Sequence, residues 1–142
     1  MIRKFAIYAV FAAAVFCAGF QLGTERTARA AANRVFELRT YHCNEGKLPN
    51  LLARFRDHTT EIFRKHGMTN IGYWIPLDEP ASRDTLIYIL AYPDRESAKK
   101  SWDAFQHDPE WNKVRTESEL GGKIVNKVDS VYMTPADFSP IK

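Results

Sequence analysis

Hydrophobic and polar positions alternate along residues 35–41 and then repeat at helical spacing over residues 46–67. The alternation has the period of two that a half-buried strand requires. In the second segment the apolar positions fall three and four residues apart, on one side of a helix. Pro49 suits the first turn of that helix, and Gly67 suits its C-terminal cap. The segment therefore predicts a strand followed by an amphipathic helix.

The rest of the chain extends this pattern to six elements. Residues 70–75, 85–92 and 124–133 have the composition of strands. Asp94 and Asp108 are N-cap signals for two further helical stretches, so the second helical region is broken in two. The order β-α-β-β-α-β predicts an α+β, ferredoxin-like fold, with helices on one face of a four-stranded antiparallel sheet.

The other face of such a sheet would be open. The strand patterns place Tyr88 and Tyr92 there, together with Trp74. Large aromatic side chains of this kind should not stay in water in a monomer. We therefore expect a homodimer that forms through the open sheet face with two-fold symmetry.

The N-terminal segment, residues 1–30, has the features of a signal peptide. A charged head at Arg3 and Lys4 precedes an apolar run, and small residues flank a cleavage site after Ala30. The run is shorter than the roughly 20 residues that span a bilayer. We expect an exported protein, periplasmic or secreted, with a single domain over residues 31–142. The alternative is that the segment stays uncleaved as a membrane anchor.

Cleavage changes the charge of the chain. The full sequence has 20 basic and 17 acidic residues, but the mature part has 16 of each, because the excess lies in the signal. The mature chain therefore gives no indication of a nucleic-acid partner, and none of a membrane partner after cleavage. Cys43 is its only cysteine, which excludes an internal disulfide and leaves a buried thiol or an intermolecular link.

Five segments together resemble the NIPSNAP family over about residues 34–140. They read VFELRTYHCNEGKL, LLARFRDHTTEIFRKHGM, NIGYW, SWDAFQHDPEWNKVRTESE and VDSVYMTPADFSP. The resemblance implies a dimeric α/β barrel, in which two ferredoxin-like subunits enclose a shared interior. Relatives on the same plan include cofactor-independent monooxygenases and haem-linked enzymes, but a shared fold is weak support for a shared activity.

Glu37, Arg39 and Tyr41 share one face of the first strand. If the apolar residues of that strand pack under the helices, these three face the barrel interior, where Trp74 and Tyr88 would line the walls. Arg39 could then hold a carboxylate as a forked pair. The alternative is that Glu37 and Arg39 pair with each other, or across the dimer, as structure only.

The sequence predicts no metal site, no cofactor and no catalytic residue. Histidine and cysteine spacings do not resemble a zinc site, and no phosphate loop or nucleophile motif is present. His66 lies within the apolar stripe near the helix C-terminus, where a buried structural role and an axial haem ligand both remain open. We expect an exported dimeric module that binds a small molecule or a protein. The alternatives are a monooxygenase-like or haem-linked oxidoreductase, and a purely structural interaction domain.

Overall fold

The computed structural model describes residues 34–142, and the predicted signal peptide lies outside the described residues. The strands are β1 (Val35–Cys43), β2 (Thr69–Trp74), β3 (Thr85–Tyr92) and β4 (Val125–Met133). The helices are α1 (Leu48–Arg54), α2 (Thr60–Lys65), α3 (Arg95–Gln106) and α4 (Pro109–Ser118). A π-helical turn, Phe55–Thr59, joins α1 to α2.

The four strands form one sheet in the order β2-β3-β1-β4, and every neighbouring pair is antiparallel. The first helical stretch connects β1 to β2, and β3 lies between these two strands in the sheet. The second connects β3 to β4, and β1 lies between them. This arrangement confirms the predicted ferredoxin-like α+β fold. Within residues 34–142, no helix combines the length and the apolar character needed to cross a bilayer.

Local sequence signals explain where the helices begin and end. The Asp94 carboxylate accepts a hydrogen bond from the Ser97 backbone N–H at 2.7 Å, and Asp108 accepts one from Glu110 at 2.7 Å, so both predicted N-caps are confirmed. Gly67 has a φ of 75°, which suits glycine at a helix C-terminus.

The predicted helix over 46–67 contains a feature that the spacing did not reveal. At the π-helical turn the buried Thr59 hydroxyl donates to the Arg54 carbonyl at 3.1 Å. Phe55 of this turn packs edge to face against Phe63, with ring centroids 6.0 Å apart. Both rings also contact Tyr88, which places the aromatic core between the helices and β3.

The prediction of which residues face the helices is wrong for β1 and β3. Glu37 is fully buried and bonded to Trp102 of α3, while Tyr41 packs edge-on to Phe55. Tyr88 and Tyr92, expected on the open face, are also fully buried on the helix side. The physical reason is that hydrogen-bond donors from Trp102 on α3 and from the neighbouring strands satisfy the Glu37 charge, so a polar residue is stable beneath the helices.

The face without helices is aliphatic. Leu38, Ile89 and Val131 stand side by side across three strands, and Val131 remains 55% exposed. Trp74 is 50% exposed and lies in register with Ile87 on this face, as predicted. At one end of the face the C-terminal residues 134–141 border an open apolar groove of about 420 Å³ that Phe36 and Ile89 of the sheet also line.

Candidate functional site

A buried carboxylate, Glu37, organises the helix side of the sheet. It accepts four hydrogen bonds, each from a different part of the fold. The donors are the Tyr92 hydroxyl on β3 at 2.8 Å, the Trp102 indole N–H on α3 at 2.6 Å, the Ser130 hydroxyl on β4 at 2.6 Å and the Arg39 guanidinium on β1 at 2.7 Å. The charge therefore ties three strands to one helix.

The hydrogen bonds keep this carboxylate ionised. Burial by itself would raise the pKa of Glu37, because it disfavours the charged form. The hydrogen bonds from Ser130 and Trp102, together with the charge of Arg39, outweigh burial and hold the pKa below its ordinary value. Glu37 therefore stays charged and is saturated with donors at neutral pH.

Arg39 lies between aromatic rings. Its guanidinium carbon is 4.1 Å from the centroid of the Trp102 ring and 5.5 Å from that of Tyr41. Burial would lower its pKa, but the charge of Glu37 and the hydrogen bond to it raise it, so the cation persists. Because Glu37 is its counter-ion at 2.7 Å, Arg39 brings N–H donors to the site and little net charge.

Two buried polar atoms near Arg39 have no partner within the described residues. They are the Nε atom of Arg39 and the hydroxyl of Tyr88. The two residues are directly opposite each other in the β1–β3 register. Burial raises the pKa of the Tyr88 hydroxyl well above its ordinary value, so the group stays protonated.

An open cleft of about 880 Å³ lies above Glu37 and Arg39, between β1, β4 and the exposed side of α3. Its volume falls in the range of small-molecule sites. The side chains of Trp102 and Tyr132 form aromatic walls. The remaining lining residues are Arg95, Glu96, Lys99, Asp103, Gln106 and Ser130.

The structure separates the five residues that the sequence predicted as one site. Glu37 and Arg39 lie together at the cleft, where they pair with each other, in line with the structural alternative. Tyr41 and Tyr88 are neighbours in the aromatic core, with ring centroids 5.2 Å apart. Trp74 is on the opposite face of the sheet.

Sequence reasoning missed the residues that complete the cleft. These residues are Trp102 on α3 and Ser130 and Tyr132 on β4. In the structure Ser130 is opposite Arg39 and Tyr132 is opposite Glu37 in the β1–β4 register. The alternation of β4 could have placed both on one face, but only the strand register shows that they join β1 at this cleft.

His66 belongs to a separate cluster at the junction of the helices. Its Nε2 atom is 2.6 Å from a carboxylate oxygen of Asp108, and the Lys65 ammonium is 2.8 Å from the same oxygen. Hydrogen bonds from Lys65 and His66 hold the pKa of Asp108 well below its usual range. His66 is not among the residues that line the cleft.

No group of three or more His, Cys, Asp or Glu side chains within residues 34–142 is arranged to hold a metal ion.

The sheet order and the helix layer define a ferredoxin-like α+β domain. The NIPSNAP family model matches residues 36–140. The chain therefore belongs to the NIPSNAP family. No curated protein matches the chain.

Solved structures show the same fold. A NIPSNAP family protein from Agrobacterium tumefaciens has a TM-score of 0.67 and 20% identity, over 78% of this chain and all of that one. An uncharacterised NIPSNAP-like protein from Burkholderia xenovorans has a TM-score of 0.66 and 18% identity, over 77% of this chain and 90% of that one. A monooxygenase from Streptomyces coelicolor, solved with nanaomycin D, has a TM-score of 0.55 and 13% identity, over 78% and 95%. Identities this low describe the fold alone.

Proposed function

We propose that this protein is an exported homodimeric module that binds a small molecule in the cleft between β1, β4 and α3. The observation that carries the proposal is the cleft itself, about 880 Å³ in volume and floored by the buried Glu37–Arg39 ion pair. Fixed polar groups beneath aromatic walls are typical of ligand sites. This location replaces the shared barrel interior that the sequence suggested.

Binding suits the floor of the cleft better than acid–base catalysis. A general base needs a free lone pair and a pKa near the working pH. Glu37 already accepts four hydrogen bonds, and its pKa is lowered. Burial raises the pKa of Tyr92 and of Tyr132, which keeps both hydroxyls protonated. These groups can orient a ligand without exchanging protons with it.

The indole N–H of Trp102 offers a direct test. The chain has three tryptophans, and only Trp102 lines the cleft. In a ¹⁵N–¹H spectrum of labelled protein, a cleft ligand should move the Trp102 indole signal and leave those of Trp74 and Trp111 in place. Trp102→Phe assigns the signal. If no member of a fragment library moves it, the cleft is not a ligand site.

The dimer part of the proposal rests on the aliphatic sheet face. Leu38, Ile89 and Val131 form a continuous apolar strip that extends toward the half-exposed Trp74. A lysine at Val131 would bury a charge in the interface, so Val131→Lys should sediment as a monomer while the unaltered protein sediments as a dimer. Leu120→Lys is the matched control, since Leu120 is 84% exposed and lies outside the sheet. A monomeric unaltered protein at micromolar concentration would rule out the dimer.

Export can be tested separately. Processing after Ala30 would give a mature protein that begins at Ala31. Intact mass measurement of protein recovered from periplasmic and membrane fractions distinguishes cleavage from retention as an anchor.

An oxidoreductase is the second candidate, because the fold is shared with a monooxygenase. The test is oxygen consumption with electron-rich phenols and hydroquinones, compared between the unaltered protein and Trp102→Phe. A haem-linked oxidoreductase has less support from the structure, since the Nε2 atom of His66 already contacts Asp108. A haem titration without a Soret shift that depends on His66 would exclude the haem-linked oxidoreductase.

A further inference from the structure

Two cations at the cleft have no carboxylate partner among the described residues. Arg95 and Lys99 lie one helical turn apart on α3, so their side chains project from the same side of the helix. Neither forms an ion pair within residues 34–142. Arg95 instead lies over the Tyr132 ring, with its guanidinium carbon 3.3 Å from the ring centroid.

The other charges of the cleft compensate this pair only in part. Glu37 and Arg39 neutralise each other at 2.7 Å. The Glu96 carboxylate pairs with Lys100 at 2.8 Å. Asp103 is then the only lining carboxylate left to face Arg95 and Lys99, and it is largely exposed. The lining itself has three basic and three acidic side chains, but Lys100, which lies outside the lining, pairs with Glu96 and so leaves one excess positive charge at the mouth.

We propose that the ligand is an organic acid, with one anionic head held by Arg95 and Lys99 and an apolar body that lies against Trp102. This inference rests on the proposed function, namely that the cleft binds a small molecule, and it specifies the chemical class. The guanidinium of Arg95 has one face covered by Tyr132, which leaves its N–H edge to form a forked pair with a carboxylate. Lys99 adds a point charge.

The floor of the cleft selects against a bare inorganic anion. Arg39 is already neutralised by Glu37, so the deeper part of the cleft offers aromatic surface and N–H donors. An ion such as phosphate would use the mouth and leave the Trp102 wall exposed to water. An apolar body covers this wall and gains from its burial.

The experiment compares each acid with its neutral amide. The probes are 2-naphthoate with 2-naphthamide, indole-3-acetate with indole-3-acetamide, and inorganic phosphate, each titrated while the Trp102 indole signal is followed. The variants are Arg95→Gln and Lys99→Gln. Lys113→Gln is the control, because Lys113 is an exposed helical lysine that pairs with Glu117 away from the cleft. The positions of the Trp74 and Trp111 signals report that each variant is folded.

We expect at least one acid to move the Trp102 signal, its amide to bind more weakly, and Arg95→Gln to weaken the acid about tenfold. The control should bind as the unaltered protein does. The inference is overturned if amides bind as well as acids, if neither glutamine variant weakens the acid, if no acid binds, or if phosphate binds as tightly as the acids. If neutral fragments still move the Trp102 signal, the organic-acid inference fails but the proposed function holds. The proposed function fails only if no fragment moves that signal.

Discussion

Glu37→Gln should be among the most destabilising conservative substitutions in this domain. The carboxylate is fully buried and accepts hydrogen bonds from Tyr92, Trp102, Ser130 and Arg39. Glutamine has nearly the same shape, but its NH₂ group is a donor. It therefore turns a donor toward some of these four donors and leaves Arg39 without a counter-ion.

The expected loss of unfolding free energy in Glu37→Gln follows from the buried ion pair. Removing one partner of such a pair costs about 3–5 kcal/mol, because the remaining charge is left uncompensated. This is a large share of a typical unfolding free energy of roughly 5–15 kcal/mol. Glu61→Gln is the matched control, since Glu61 is 71% exposed and pairs only with the neighbouring Arg64. We expect the control to change stability by less than about 0.5 kcal/mol.

Urea unfolding, followed by circular dichroism, measures both variants. A loss below about 1 kcal/mol for Glu37→Gln would refute the reasoning, since a loss that small is the net worth of one ordinary hydrogen bond. Combining Glu37→Gln with Arg39→Met gives a double-mutant cycle. The double variant should be more stable than the sum of the single losses implies, because it removes the stranded cation.

The same carboxylate fixes the direction of a pH dependence. The folded pKa of Glu37 is lowered, so its stabilising contribution is complete above the unfolded value of about 4.3. The contribution is lost as the pH falls through the lower folded pKa. The stability difference between the unaltered protein and Glu37→Gln should therefore be constant from about pH 5 to 8 and shrink in stronger acid. A difference that grows in acid would contradict this assignment.

Three further substitutions or reactions test other parts of the fold. Burial raises the pKa of the Cys43 thiol to about 11, so at pH 8 it should react with a disulfide reagent far more slowly in native protein than in urea; equal rates would show an accessible thiol. Gly67→Ala should lower the free energy of unfolding by about 1–2 kcal/mol because φ is 75°, whereas Gly121→Ala, without a positive φ, should lower it less. Equal losses would show that the left-handed conformation of Gly67 does not contribute to stability. Asp108→Asn should lower stability in thermal unfolding by about 1 kcal/mol more than Asp94→Asn, because asparagine still caps both helices but removes the charge beside Lys65. Equal losses would show that Asp108 stabilises the fold only as a helix cap.

Local signals in the sequence were sufficient to predict the elements of the fold. Asp94 and Asp108 precede their helices and cap them, and Gly67 ends the first helical stretch. These features depend on residues within one turn of each other. The π-helical turn escaped prediction because Phe55 and Thr59 fit the same apolar stripe in an ordinary helix.

The faces of the sheet could not be predicted by the same means. Alternation divides β1 into one set with Phe36 and Leu38 and another with Glu37 and Arg39, but it does not say which set meets the helices. The rule that apolar residues face the helices fails here because Trp102 and Ser130 supply donors to Glu37 from 65 and 93 residues away along the chain. Nothing within the strand encodes those partners.

The inverted faces also separate the two proposed surfaces of the molecule. A ligand site in a shared barrel interior would need two subunits to be complete. The cleft is instead built from β1, β4 and α3 of one chain, while Leu38 and Val131 point to the other side of the sheet. Because the sheet lies between them, the proposed interface could be lost without removing a single residue from the cleft. In this proposal the aliphatic face would account for association, and the cleft above the buried Glu37–Arg39 pair would be a site that each subunit carries whole.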